Sequence, residues 1–127
     1  MIDTTGMTSY SVIIADDDHN ICDALSELIG DDPRFELRGV AHSGAGAAEL
    51  VRAQRVDLAV VDVQMPQGGI DAIEAIHAVS PSTQVAVFTA KAGSRLQSQL
   101  LSAGAVAVFH KGDALDLSGA LASLLRG

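Results

Sequence analysis

From Tyr10 onward the chain alternates short, continuous apolar runs with segments whose apolar residues recur at helical spacing. That alternation is the pattern of a parallel sheet covered by helices on both faces. The first run, residues 11–15, is β-branched and unbroken, as expected of a strand buried on both sides. Ile21, Leu25, Leu28 and Ile29 then fall on one face of a helix that ends near Gly30, with Asn20 as a candidate cap and Cys22 off the stripe. Residues 31–33 form a turn, and residues 35–41 alternate in polarity, as a strand near a sheet edge does. The same reading places helices at 44–52, 70–79, around Leu96 to Leu101, and from Leu117 to Leu125, with strands at 58–61, 84–88 and 105–109. Five strands in strict alternation with five helices predict a single α/β domain, doubly wound around a five-stranded parallel sheet.

In such a sheet ligands bind outside the carboxyl ends of the strands, so the residues that end each strand form one candidate site. Strand one ends in Asp16-Asp17-Asp18, strand three in Asp62 and strand four in Thr89, and strand five is followed by Lys111. Carboxylates gathered this way repel one another unless a proton is shared, water screens them or a cation is bound. A hard divalent cation such as Mg2+ suits the cluster, since it takes one or two carboxylates, water and a phosphate oxygen. Lys111 offers a point charge to a phosphate and Thr89 a short donor. No Gly-rich phosphate loop follows the first strand, so a nucleotide would meet bare carboxylates there.

Composition removes other classes. With 127 residues, 48% of them hydrophobic, the chain is long enough for one ordinary core. Sixteen acidic residues against eight Lys plus Arg give a net charge of −8, the reverse of a nucleic-acid footprint, so no direct nucleic-acid binding by this domain is expected. One cysteine cannot close an internal disulfide, and no apolar run nears the ~20 residues that cross a bilayer. Residues 1–9 lack the basic start and apolar centre of a signal peptide and are read as a flexible leader, ahead of a domain over residues 10–126, with the cytoplasm as default compartment. His19, His42, His77 and His110 show no metal-ligand spacing and are taken as surface or local packing residues. Cys22 is taken as a passive thiol.

Taken together, Ile-Ile-Ala-Asp16-Asp17, Leu-Ala-Val-Val-Asp62-Val-Gln-Met65-Pro66, Phe-Thr89-Ala90 and Lys111 after the fifth strand resemble the receiver domain of two-component response regulators. The likeness covers residues 11–125. Ala41 to Ala48 and Gly104-Ala105 look most like the subgroup whose receiver precedes a helix-turn-helix DNA-binding domain, which favours a cut before such a domain at Gly127. The resemblance implies a flavodoxin-like fold and a switch that catalyses its own phosphorylation and dephosphorylation, more than a turnover enzyme. It implies that Asp62 accepts a phosphoryl group from a phosphohistidine on a sensor histidine kinase. Asp17 would bind Mg2+ directly, Asp16 through water, and Asp62 and the backbone carbonyl of Gln64 would complete the shell. Lys111 and Thr89 would hold the phosphoryl oxygens, joined by the backbone N–H of Ala90. Gln64 and Lys91 occupy positions that tune phosphoryl loss in the family. The implied partners are the kinase and an output domain or partner protein, with transcription as the expected output and a homodimer of the active form left open.

Three positions depart from the family pattern. The loop after Asp62 is one residue shorter, with Gly68-Gly69-Ile70 in place of a longer acidic turn. Val108 stands where the aromatic switch residue is usual, the aromatic being Phe109 instead, and Gly112 replaces a common Pro. The main rival is a protein-interaction module of the same fold that works without phosphorylation. A phosphatase built on Asp16 and Asp18 lacks a cap segment to hold substrate, and a flavin module lacks a phosphate loop.

Overall fold

The computed structural model describes residues 9–90, 92–112 and 116–126; Lys91 and nearly all of the expected leader lie outside them. Five strands and five helices alternate: β1 (Tyr10–Ala15), α1 (His19–Gly30), β2 (Phe35–Ala41), α2 (Gly44–Ala53), β3 (Leu58–Val61), α3 (Ile70–Val79), β4 (Gln84–Thr89), α4 (Ser94–Ala103), β5 (Ala107–His110) and α5 (Leu117–Arg126). The strands form one parallel sheet in the order β2-β1-β3-β4-β5. This is the doubly wound, flavodoxin-like arrangement expected from the alternation of elements. Among the described residues no helix is long and apolar enough to cross a membrane.

The pleat of the central strands divides the core into two layers. Ile13 and Ala15 of β1 face the layer built with Ala47, Val51, Ile73, Ile76 and Leu100 from α2, α3 and α4. Val12 and Ile14 face Cys22, Leu25, Ile29, Leu117 and Leu121 from α1 and α5. Both faces of β1 and β3 are therefore buried, which is why their sequences run apolar without alternation. β2 lies at the edge and does alternate. Its pairing with β1 slips by one residue between Val12 and Ile13, leaving Arg38 as the extra residue.

Several boundaries differ from the sequence reading for local reasons. The cap of α1 is Asp18, not Asn20: its Oδ1 accepts from the N–H groups of Asn20 at 2.9 Å and Ile21 at 3.3 Å. The helix thus starts one residue before Asn20, and Asp18 satisfies two otherwise unpaired donors. The buried stripe of α1 is Cys22, Leu25 and Ile29, whereas Leu28 is exposed. The expectation that Cys22 lies off the stripe is corrected: α1 is rotated so that positions three and seven beyond Cys22 share its face, and Leu28 sits in an open groove toward α5. β5 starts at Ala107 rather than Ala105; the Ala105 N–H is taken by the Leu100 carbonyl, 3.1 Å away in the last turn of α4, and pairing with β4 begins with the Val106 N–H on the Val85 carbonyl at 2.8 Å. Gly104, at φ 122°, ends α4 as expected.

Ile73 is fully buried between α3 and the sheet, so Ile73→Ala is expected to lower stability by about 2–5 kcal/mol in urea denaturation. Leu28→Ala, on the exposed flank of α1, is expected to cost about 1 kcal/mol or less in the same measurement.

Candidate functional site

The parallel sheet brings the carboxyl ends of β1, β3, β4 and β5 to one rim. Ala15 is paired with Val61, so the residues that follow them, Asp16 and Asp62, emerge side by side. Thr89 ends β4, paired with His110, and Lys111 comes next; the Lys111 N–H donates to the Thr89 carbonyl at 2.8 Å. Thr89 is fully buried and Ala90 is exposed.

The side chains meet as a triangle. Lys111 Nζ donates to Asp16 Oδ2 at 2.7 Å and lies 3.5 Å from Asp62 Oδ2. The second oxygen of Asp16, Oδ1, accepts from the Asp18 N–H at 2.9 Å. Asp16 and Asp62 are each 2% exposed, while Asp17 stands in solvent at the mouth. Asp62 Oδ1 is buried and finds no hydrogen-bond partner among the described residues. Burial pushes the Asp62 carboxyl above the ordinary carboxylate range, and the negative charge of Asp16 adds to this against the opposing pull of Lys111 and of the nearby Gln64 and Val63 N–H groups. Burial alone would lower the Lys111 ammonium, but its hydrogen bond to Asp16 and the charges of Asp62 and Asp16 outweigh that and hold it raised.

One ammonium thus faces two buried carboxylates, with a third beside them. One oxygen from each of Asp16, Asp17 and Asp62 lies within 4.8 Å of the others, a spacing one metal ion can bridge. The donors are all hard oxygens, and the orphaned Asp62 Oδ1 is a buried acceptor that a cation would satisfy. The residues present therefore fit a hard divalent cation such as Mg2+.

The loop after Asp62 is held tightly. Gly68 N–H donates to the Met65 carbonyl at 2.9 Å and Gly69 N–H to that of Asp62 at 3.3 Å. Gln67 and Gly69 adopt positive φ values of 52° and 61°. The far side of the loop rests on α2, where the Gly44 N–H donates to the Pro66 carbonyl at 2.8 Å and any Cβ on Gly44 would collide with the Gln67 carbonyl. Gln64 projects from this loop into solvent. Val108 packs into the layer of α2 to α4, while Phe109 packs on the opposite face with α1 and α5. The four histidines make local contacts, His77 Nε2 with the Thr83 carbonyl at 3.1 Å and His110 Nε2 with that of Ala92 at 3.2 Å.

Residues 12–121 match the family model of the response regulator receiver domain. The chain belongs to that family. Receiver domains work with histidine kinases and output domains. A curated relative, protein-glutamate methylesterase/protein-glutamine glutaminase 2 of Anaeromyxobacter dehalogenans (strain 2CP-C), is 33% identical over 116 residues, which is 91% of this chain and 34% of that protein. The chain spans about a third or less of the length of such relatives. Among solved structures, the isolated receiver domain of RcsB from Salmonella enterica serovar Typhimurium superposes with a TM-score of 0.86 at 23% identity, covering 94% of this chain and 91% of that one. The response regulator domain of Thermotoga maritima CheB gives 0.81 at 23% identity, covering 94% and 95%. These two likenesses establish the shared fold.

Because the Asp62 carboxyl is raised, the folded receiver holds its proton more readily than the unfolded chain. Its charge therefore costs nothing below the ordinary carboxylate range, costs more as pH rises from there toward the raised folded-state value, and costs a constant amount above it. Asp62→Asn is expected to stabilise the metal-free domain at pH 7 by on the order of 1 kcal/mol, with the gain shrinking toward pH 4. Urea denaturation at the two pH values in a chelator measures both.

Proposed function

We propose that this receiver accepts a phosphoryl group on Asp62 from the phosphohistidine of a sensor histidine kinase, and passes the change to an output domain or partner protein. The observation that carries this reading is the buried Asp62 carboxylate, with an unpartnered oxygen, set between a lysine and an acid pair. In the transfer, an Asp62 oxygen forms a new P–O bond while the bond to the donor breaks and its electron pair leaves with the donor. The work asked of the protein is positioning and charge neutralisation rather than covalent chemistry by several groups.

Lys111 is then the cation that pairs with the phosphoryl oxygens, Thr89 a hydroxyl donor to them and the Ala90 N–H a further donor. Asp17, Asp16 through water, Asp62 and the backbone carbonyl of Gln64 would hold Mg2+, which when bound neutralises charge on the transferring group. Lys111 has an incentive to turn toward a phosphoryl group, since the bound cation would relieve Asp16 of its role as counterion. The loop between β4 and α4 and the adjoining end of β5 form the element that such a change biases. The cytoplasm is the compartment this reading expects.

The output is read as a helix-turn-helix DNA-binding domain in transcriptional signalling, on the likeness of residues 41–48 and 104–105 to that subgroup. A second reading comes from the relatives that are named methylesterases, in which the receiver would control an enzymatic output instead. A homodimer of the active form is compatible with either.

Intact-protein mass after incubation with acetyl phosphate tests the first step. One added phosphoryl group is expected on the native chain with Mg2+, and none without Mg2+ or on Asp62→Asn. No gain on a folded native chain, with a control receiver labelled in parallel, would leave a protein-interaction module that works without phosphorylation.

A further inference from the structure

Asp16 is fixed by more than its ion pair. Its N–H donates to the Ala41 carbonyl at 3.0 Å, and its two carboxylate oxygens are taken by Lys111 and the Asp18 N–H. Its main-chain carbonyl accepts from His42 Nδ1 at 2.9 Å and from the Cys22 thiol at 3.1 Å. A carbonyl oxygen has two lone pairs, and here side chains from two different elements occupy both. Cys22 comes from the buried face of α1 and His42 follows the end of β2. The His42 ring has a second support, for it lies against the ring of His19 with centroids 4.3 Å apart.

That carbonyl belongs to the peptide joining Asp16 to Asp17. A peptide unit is planar, so holding its oxygen sets the rotation of the plane and the directions in which both residues leave it. Three successive aspartates repel one another, and a connection free to rotate would relieve the repulsion by spreading them. We propose that His42 and Cys22 are positioning residues that act through the Asp16 carbonyl to hold the Asp16 and Asp17 carboxylates at the spacing a divalent cation needs. This rests on the metal site described under the proposed function. Neither residue would touch the cation; each acts through the backbone between the carboxylate that would bind it directly and the one that would reach it through water, as the supporting shell of a metal site does.

The measurement is Mg2+ titration by calorimetry on the native chain and on His42→Leu, His42→Asn, Cys22→Ala and Cys22→Ser. Asn places an amide donor near the position of Nδ1, and Ser keeps a donor on a short side chain. His42→Leu and Cys22→Ala are expected to weaken Mg2+ binding about tenfold, as loss of a supporting group does, while His42→Asn and Cys22→Ser keep it within about twofold of native. Should one member of a pair fail to fold, the other pair carries the test. Native affinity in the donor-free variants, or equal loss in the donor-keeping ones, overturns the positioning role alone. A native chain that binds no Mg2+ overturns this role together with the metal reading beneath it.

Discussion

Lys111 reaches from the end of β5 to the end of β1, and its 2.7 Å hydrogen bond to Asp16 keeps an ammonium among carboxylates that are almost wholly removed from water. Taking such charges out of solvent is costly, and a buried ion pair repays that cost only when every lone pair is satisfied. Here it is not, because Asp62 Oδ1 lacks a partner among the described residues. The rim therefore contributes little to holding the domain together. It is held together from outside, by two apolar layers on either face of the sheet.

That division of labour leaves the rim free to bind rather than to stabilise. The central strands β1 and β3 are packed on both faces, so their ends are rigid supports from which Asp16 and Asp62 project. With one positive charge against two buried negative ones, the triangle has unmet demand for a cation and for a group that brings its own acceptor oxygens to Lys111. On the proposed reading, a metal and a phosphoryl group would satisfy both demands together. The tight loop after Asp62, seated on Gly44, adds a third fixed edge to the rim.

The architecture was legible in the sequence because its signals are redundant. β3 and α3 have the bounds the sequence predicts, since an unbroken Leu-Ala-Val-Val run and a Gly-Gly turn leave no other register. The residues of the rim were legible for the same reason: a parallel sheet sends every strand end to one side. What could not be read were contacts that depend on rotation of α1. Periodicity selected Leu28 over Cys22, because a leucine and a cysteine differ in apparent apolarity while the helix face is set by packing on the sheet. Asp18, by contrast, stands directly before the helical stripe and Asp is among the best capping residues, so its capping role is within reach of the sequence. The convergence of His42 and Cys22 on one carbonyl has no sequence signal, since the two are twenty residues apart and nothing in the spacing of either points to Asp16.

The rim carries surplus negative charge, which on the proposed reading a divalent cation offsets. Thermal unfolding of the native chain and of Asp62→Asn, each with chelator and with saturating Mg2+, tests it most directly, because a ligand that binds only the folded state raises its melting temperature. A clear upward shift is predicted for the native chain and a much smaller one for Asp62→Asn. Equal shifts in the two, or none in either, would contradict it.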